Sequence, residues 1–139
     1  ETNVHVQQDE VFEYFLRILQ TAIDLRDEQN TNLSSKTLKK ALAYIDEHYT
    51  CENLSLGTVA CEVQVGANYL SSVFSQNMQK TFTEYISEKR MEKAKKLLKS
   101  TELPTSEIAA QVGYKDPHYF SFVFKKTQGC SPREYRSSI

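Results

Sequence analysis

The stretch that decides the fold is GYKDPHYFSFVFKK, residues 113–126. Five of its fourteen residues are aromatic, three are Lys and one is His, so it could serve as a packed core, an enclosed pocket or a surface that meets a polyanion. The order of its residues separates these uses. Asp116 before Pro117 marks a helix start, because the carboxylate accepts first-turn amides and proline suits the first helical position. On that helix Phe120, Val123 and Phe124 fall on one side, and His118, Ser121, Phe122 and Lys125 on the other. The first set predicts a core face and the second an outward face, with Gly113 in the turn before them.

Working upstream, the same unit occurs a second time. LPTSEIAAQVGYKDPHYFSFVFKKTQGCSPREY (103–135) repeats LSLGTVACEVQVGANYLSSVFSQNMQKTFTEY (54–85). At an offset of 49, Leu54, Val59, Ala60, Val63 and Val65 match Leu103, Ile108, Ala109, Val112 and Tyr114. After one inserted residue, Leu70, Val73, Phe74 and Tyr85 match Phe120, Val123, Phe124 and Tyr135 at an offset of 50. Each unit reads as a short helix, a turn and a longer helix. Each is followed by a capping box, Thr81 with Glu84 and Ser131 with Glu134. Such a helix-turn-helix can lay its second helix in the major groove of DNA. The outward face of the first unit is then Asn68, Ser71, Ser72 and Ser75.

The units are expected at about 54–80 and 103–129, with a linker helix over about 82–99. Its uninterrupted part, TEYISEKRMEKAKKLLK (83–99), would make a strut about 26 Å long at ~1.5 Å per residue. Further upstream, Val11, Phe15, Ile18, Ala22 and Leu25 step by 4, 3, 4 and 3, with Phe12, Leu16, Leu19 and Ile23 one place along. This predicts a helix over residues 9–29 with an apolar stripe too wide for a lone solvated helix. It either docks on the rest of the domain or pairs with another chain. The polar stretch NTNLSS (30–35) predicts a break and a domain boundary, with a new helix from Lys36 to about Tyr49.

Composition narrows the function classes. The chain has 139 residues, 40% hydrophobic and 25% charged, with four Gly and three Pro, which favours a globular all-α fold. The formal net charge is only −1, but it is unevenly spread. Residues 1–35 carry two basic against seven acidic side chains, and residues 36–139 carry 15 against 11. The C-terminal part, at +4, tolerates a polyanionic partner. No run is apolar enough for a membrane helix, and the absence of Met at position 1 suggests a segment preceded by another domain. Cys51, Cys61 and Cys130 lack metal or disulfide spacing and read as small side chains in or near the core of a cytoplasmic protein. His118 has no Cys, Asp or Glu at i+3 or i+4, so no catalytic, cofactor or metal site is expected.

IAAQVGYKDPHYFSFVFKKTQGCSPREYR (108–136) resembles the signature of the AraC/XylS family of bacterial transcription regulators. YISEKRMEKAKKLL (85–98) is similar to that family's connecting helix, and the resemblance covers residues 36–139. A narrower similarity is to response regulators of the YesN type. The resemblance implies two helix-turn-helix subdomains joined by a long linker helix, preceded here by an extra N-terminal helix, with both recognition helices in successive major grooves. It implies a transcription regulator of a two-component system, with activator and repressor both open, double-stranded DNA as partner and RNA polymerase as a further candidate partner. An upstream sensor or receiver domain would stand before residues 1–35, and residues 9–29 are the candidate homodimer helix. The outward faces of the two second helices supply the base-reading candidates Asn68, Ser71, Ser72, His118, Ser121 and Phe122, and Ser75, Lys125, Lys126 and Arg133, on or beside those helices, are the phosphate candidates. The linker residues Lys89, Arg90, Lys93, Lys96 and Lys99 stay open between phosphate contact and an ordinary solvated face. Three positions depart from the family pattern. Gln64 and Gln79 stand where glycine is usual, with Gly66 two places after Gln64, and Phe122 stands where many relatives have Arg.

Overall fold

Four side chains punctuate the chain as caps. Ser55 accepts the amide of Thr58, Thr81 that of Glu84, Asp116 that of His118 and Ser131 that of Glu134. Each satisfies an amide that the first helical turn leaves without an internal partner. The computed structural model describes the backbone of residues 2–139 and the side chains of residues 10–26 and 32–139. Among the described residues there are seven helices and no strand: α1 (Thr2–His48), α2 (Leu56–Glu62), α3 (Ala67–Met78), α4 (Phe82–Ser100), α5 (Thr105–Gln111), α6 (Pro117–Gln128) and α7 (Pro132–Ser137).

One expected feature is absent. The backbone of residues 30–35 is helical, so NTNLSS neither breaks α1 nor caps a new helix. Asn, Thr and Ser are only weak helix breakers, and without Gly or Pro a helix can continue through them. The chain nonetheless divides into two units, Glu1–Thr37 and Leu38–Ile139. In the first, the apolar stripe stands open to solvent from Val11 to Leu25. Positions 9 and 27–29 of the candidate pairing helix lie outside the described side chains.

The second unit holds two cores. In the first core Ala41, Ile45, Val59, Ala60, Leu70 and Phe74 pack with Phe82 and Ile86 of α4. In the second, Ile108, Ala109, Val112, Tyr114, Phe120 and Phe124 pack with Met91, Ala94 and Leu98 of the same helix. Helix α4 therefore gives its N-terminal half to one core and its C-terminal half to the other. Both capping boxes are formed, at Thr81–Glu84 and at Ser131–Glu134.

The turns of the two repeats have matching backbones. Gly113 has φ +102°, and its counterpart Gln64 has φ +60°. After them, Val65 N–H donates to Ala60 O at 3.0 Å and Tyr114 N–H to Ala109 O at 2.9 Å. At the ends of α3 and α6, Gln79 (φ +56°) and Gly129 (φ +84°) both take left-handed caps. Glutamine thus occupies the left-handed conformation at the two positions where the second repeat has glycine. Gly66 does not take over the turn; it is the extended residue before α3, at φ −72°.

Candidate nucleic-acid interface

Helices α3 and α6 are held by buried residues on one side: Leu70, Val73 and Phe74 in α3, Phe120 and Phe124 in α6. That anchoring determines what faces outward. Asn68, Ser72 and Ser75 are exposed on α3, and His118, Phe122 and Lys125 occupy the same three positions, exposed, on α6. Ser71 and Ser121 are only partly exposed. They lie on the flank of each helix rather than at the centre of the outward face, which corrects their expected placement. A 100° step per residue puts them next to the buried stripe.

Phe122 is 62% exposed and stacks on Tyr119, itself 57% exposed, at 6.5 Å between ring centroids and 25° between planes. Tyr119 in turn meets Tyr114 at 6.0 Å, so a ladder of rings runs from the second core to the surface. Sequence reasoning missed Tyr119 and its counterpart Tyr69, 40% exposed. The signal was available, because Tyr recurs at an offset of 50 just before the buried Leu70 and Phe120. Beside the ladder runs an open groove lined by Ser87, Met91, Tyr119, Phe122, Val123 and Lys126.

Lys125 and Lys126 are exposed in the last turn of α6, and Arg133 is exposed in α7. Much of the basic set on α4 is engaged within the protein instead. Lys89 pairs with Asp46 and lies over the rings of Tyr49 and Tyr85. Its pKa is raised, first by the hydrogen bond with Asp46, against a smaller opposing effect of burial. Arg90 donates to the carbonyls of Tyr49 and Cys51. Lys93 and Lys99 stand over Tyr49 and Tyr135. Glu92 is held below the usual carboxylate range, mainly by its hydrogen bond with Lys95.

The cysteines depart from expectation. Cys51 and Cys61 are exposed rather than core, and Cys130 is partly exposed. The buried stripe of α2 is taken by Val59 and Ala60, which turns the next residue, Cys61, outward. Among the described residues no group of His, Cys, Asp and Glu is placed to hold a metal ion, and no helix is long and apolar enough to cross a membrane.

Residues 59–138 match the model of a helix-turn-helix domain family. The chain is 34% identical over 100 residues to the arabinose operon regulatory protein of Escherichia coli, covering 72% of this chain and 34% of that protein. It spans about a third of the length of such curated relatives. Among solved structures, the C-terminal domain of the two-component response regulator yesN from Fusobacterium nucleatum is 39% identical with a TM-score of 0.71. That comparison covers 73% of this chain and 98% of the other. The C-terminal domain of AraT, a response regulator from Geobacillus stearothermophilus, is 43% identical with a TM-score of 0.73, over 74% and 85% of the two chains.

Proposed function

We propose, from the premise that this chain belongs to the AraC/XylS family of helix-turn-helix transcription regulators, that α3 and α6 are its two DNA-reading helices. The family is one of transcription regulators, not enzymes. One observation carries the assignment. Two helices anchored by equivalent buried residues present equivalent outward triads, Asn68–Ser72–Ser75 and His118–Phe122–Lys125.

The triads differ in chemistry. Asn68 can pair with adenine through two hydrogen bonds, and the serines can reach either base edges or phosphates. On α6, His118 supplies a ring nitrogen and Lys125 a phosphate contact. Phe122 offers an apolar face suited to a thymine methyl group. Ser71 and Ser121 assist from the flank. Lys125, Lys126, Arg133 and Ser75 hold the backbone of the duplex, so binding weakens as salt rises. In the whole protein the domain serves as the cytoplasmic output of a two-component regulator, activates transcription through RNA polymerase and receives its signal from an upstream receiver or sensor domain.

Selection of bound sequences from a random duplex pool tests this reading. The expected result is an asymmetric site with two conserved patches about one helical turn, ~34 Å, apart. Enrichment of no sequence overturns it.

A second reading concerns α1. Eight large apolar side chains between Val11 and Leu25 are 44% to 66% exposed. At roughly 100 Å² each they offer ~800 Å², one side of a standard interface. A second copy of this helix is the proposed partner. Light scattering during size exclusion, on residues 1–139 and 36–139, should find a dimer only for the longer chain.

A further inference from the structure

We propose that Arg90 is a positioning residue that sets the register between the two recognition helices, and with it the number of base pairs the protein demands between its half-sites. This rests on the reading of α3 and α6 as DNA-reading helices. The two cores share helix α4, and Arg90 lies on it between Ile86 of the first core and Met91 of the second. Its guanidinium reaches both sides. Nε donates to Tyr49 O at 2.7 Å and Nη2 donates to Cys51 O at 2.9 Å, just past the end of α1. Carbonyls at a helix C-terminus lack donors within the helix, so Tyr49 O, next to the last residue of α1, accepts a cation readily, while Cys51 O accepts both Nη2 and the N–H of Leu54, the latter at 3.3 Å. On its other side the same group lies 5.1 Å from the centroid of Tyr114, a member of the second core.

Gly113 closes the arrangement. A Cβ at this position would stand 3.0 Å from Arg90 Nε and 3.0 Å from Thr50 O. The turn of the second repeat is therefore pressed against the entry to the first, with the guanidinium between them. Tyr114 Oη also lies 3.4 Å from Ser87 Oγ, one turn back on α4.

The physical consequence follows from how a shared helix works. Helix α4 alone fixes how far apart the cores lie along its axis. Rotation of one core against the other about that axis is opposed by contacts that bridge them, and Arg90 makes such contacts with main-chain carbonyls of the turn that follows α1. Lysine cannot replace it, because one ammonium on a flexible stem neither spans two carbonyls as a planar fork nor stacks on Tyr114 in the same way. One added base pair turns the second half-site by about 35° and moves it about 3.4 Å. A reader with its register held loses one helix's contacts on such a site, and a reader with its register freed can follow it.

The test uses the site enriched from the random pool, the same site with one base pair added or removed between its patches, and a duplex carrying only the α3 patch. Affinities are measured by fluorescence anisotropy for the wild type, Arg90→Ala and Arg90→Lys, with folding checked by far-UV circular dichroism. The wild type should prefer the native spacing by about tenfold or more, the scale of one mismatched base pair. Both variants should bring that preference down to about threefold while binding the single-patch duplex like the wild type. An unchanged spacing preference in the variants overturns the proposal. So does a wild type indifferent to spacing, or unfolding of both variants, which would mean the side chain holds the fold rather than the register. If the wild type enriches no site at all, the DNA reading itself has failed, and that outcome appears before any Arg90 variant is made.

Discussion

The rings of Phe124 and Tyr135 meet edge to face, with centroids 5.6 Å apart and planes at 72°. Phe74 and Tyr85, fifty residues earlier, meet at 5.2 Å and 72°. Helix α7 thus closes the second core as the start of α4 closes the first.

This geometry predicts the effect of truncation. Phe124 is fully buried, and its ring also touches Phe120 at 5.9 Å. Phe124→Ala should cost about 3–5 kcal/mol by losing both burial and ring contacts. Urea denaturation followed by circular dichroism should record a lower midpoint for the variant.

The outward face predicts the opposite separation of fold from function. Ser72 and Phe122 are exposed at equivalent positions, so Ser72→Ala and Phe122→Ala should leave stability within about 0.5 kcal/mol of the wild type. Phe122→Ala should weaken binding to the selected site by ~1–3 kcal/mol and relax preference at one thymine position. Unaltered affinity and preference in both variants would remove these residues from the interface.

Salt dependence distinguishes phosphate contacts from engaged cations. Lys125, Lys126 and Arg133 are exposed, so replacing each with Ala should reduce the slope of log affinity against log salt by about 1. Lys89, tied to Asp46, should leave that slope almost unaltered when replaced.

The left-handed glutamines predict a gain in stability. Gln79 caps α3 at φ +56°, a conformation that costs a side-chain-bearing residue about 1–2 kcal/mol. Gln79→Gly should stabilise the domain by up to about 1 kcal/mol, after the entropy that glycine gives up on folding. Gly129→Ala should destabilise it by a similar amount, from backbone strain alone, since no neighbouring atom lies within 4 Å of the added Cβ. Differential scanning calorimetry of the two variants checks both signs.

Much of this is legible in the amino-acid sequence itself. The repeat, the caps at Thr81, Asp116 and Ser131 and the core positions from Leu70 to Phe124 were readable because each depends on interactions within a few residues, or on a periodicity that local geometry imposes. The expected break at 30–35 failed for a related reason. Weak local preferences in NTNLSS do not stop a helix that nothing nearby obliges to stop.

What tertiary structure alone decided are relations between residues far apart in sequence. Arg90 read as one more cation on a charged helix face, and no local rule could bring it to the carbonyls of Tyr49 and Cys51, some forty residues earlier, or to the ring of Tyr114. The same holds for Ser71 and Ser121, whose partial burial depends on how each recognition helix is rolled onto its core. In GYKDPHYFSFVFKK the order of residues determined that a helix begins at Pro117 and which side of it is apolar. Packing against α4 decided that Tyr114 and Gly113 would bear on Arg90, because only a folded core brings the turn of one repeat against the entry to the other.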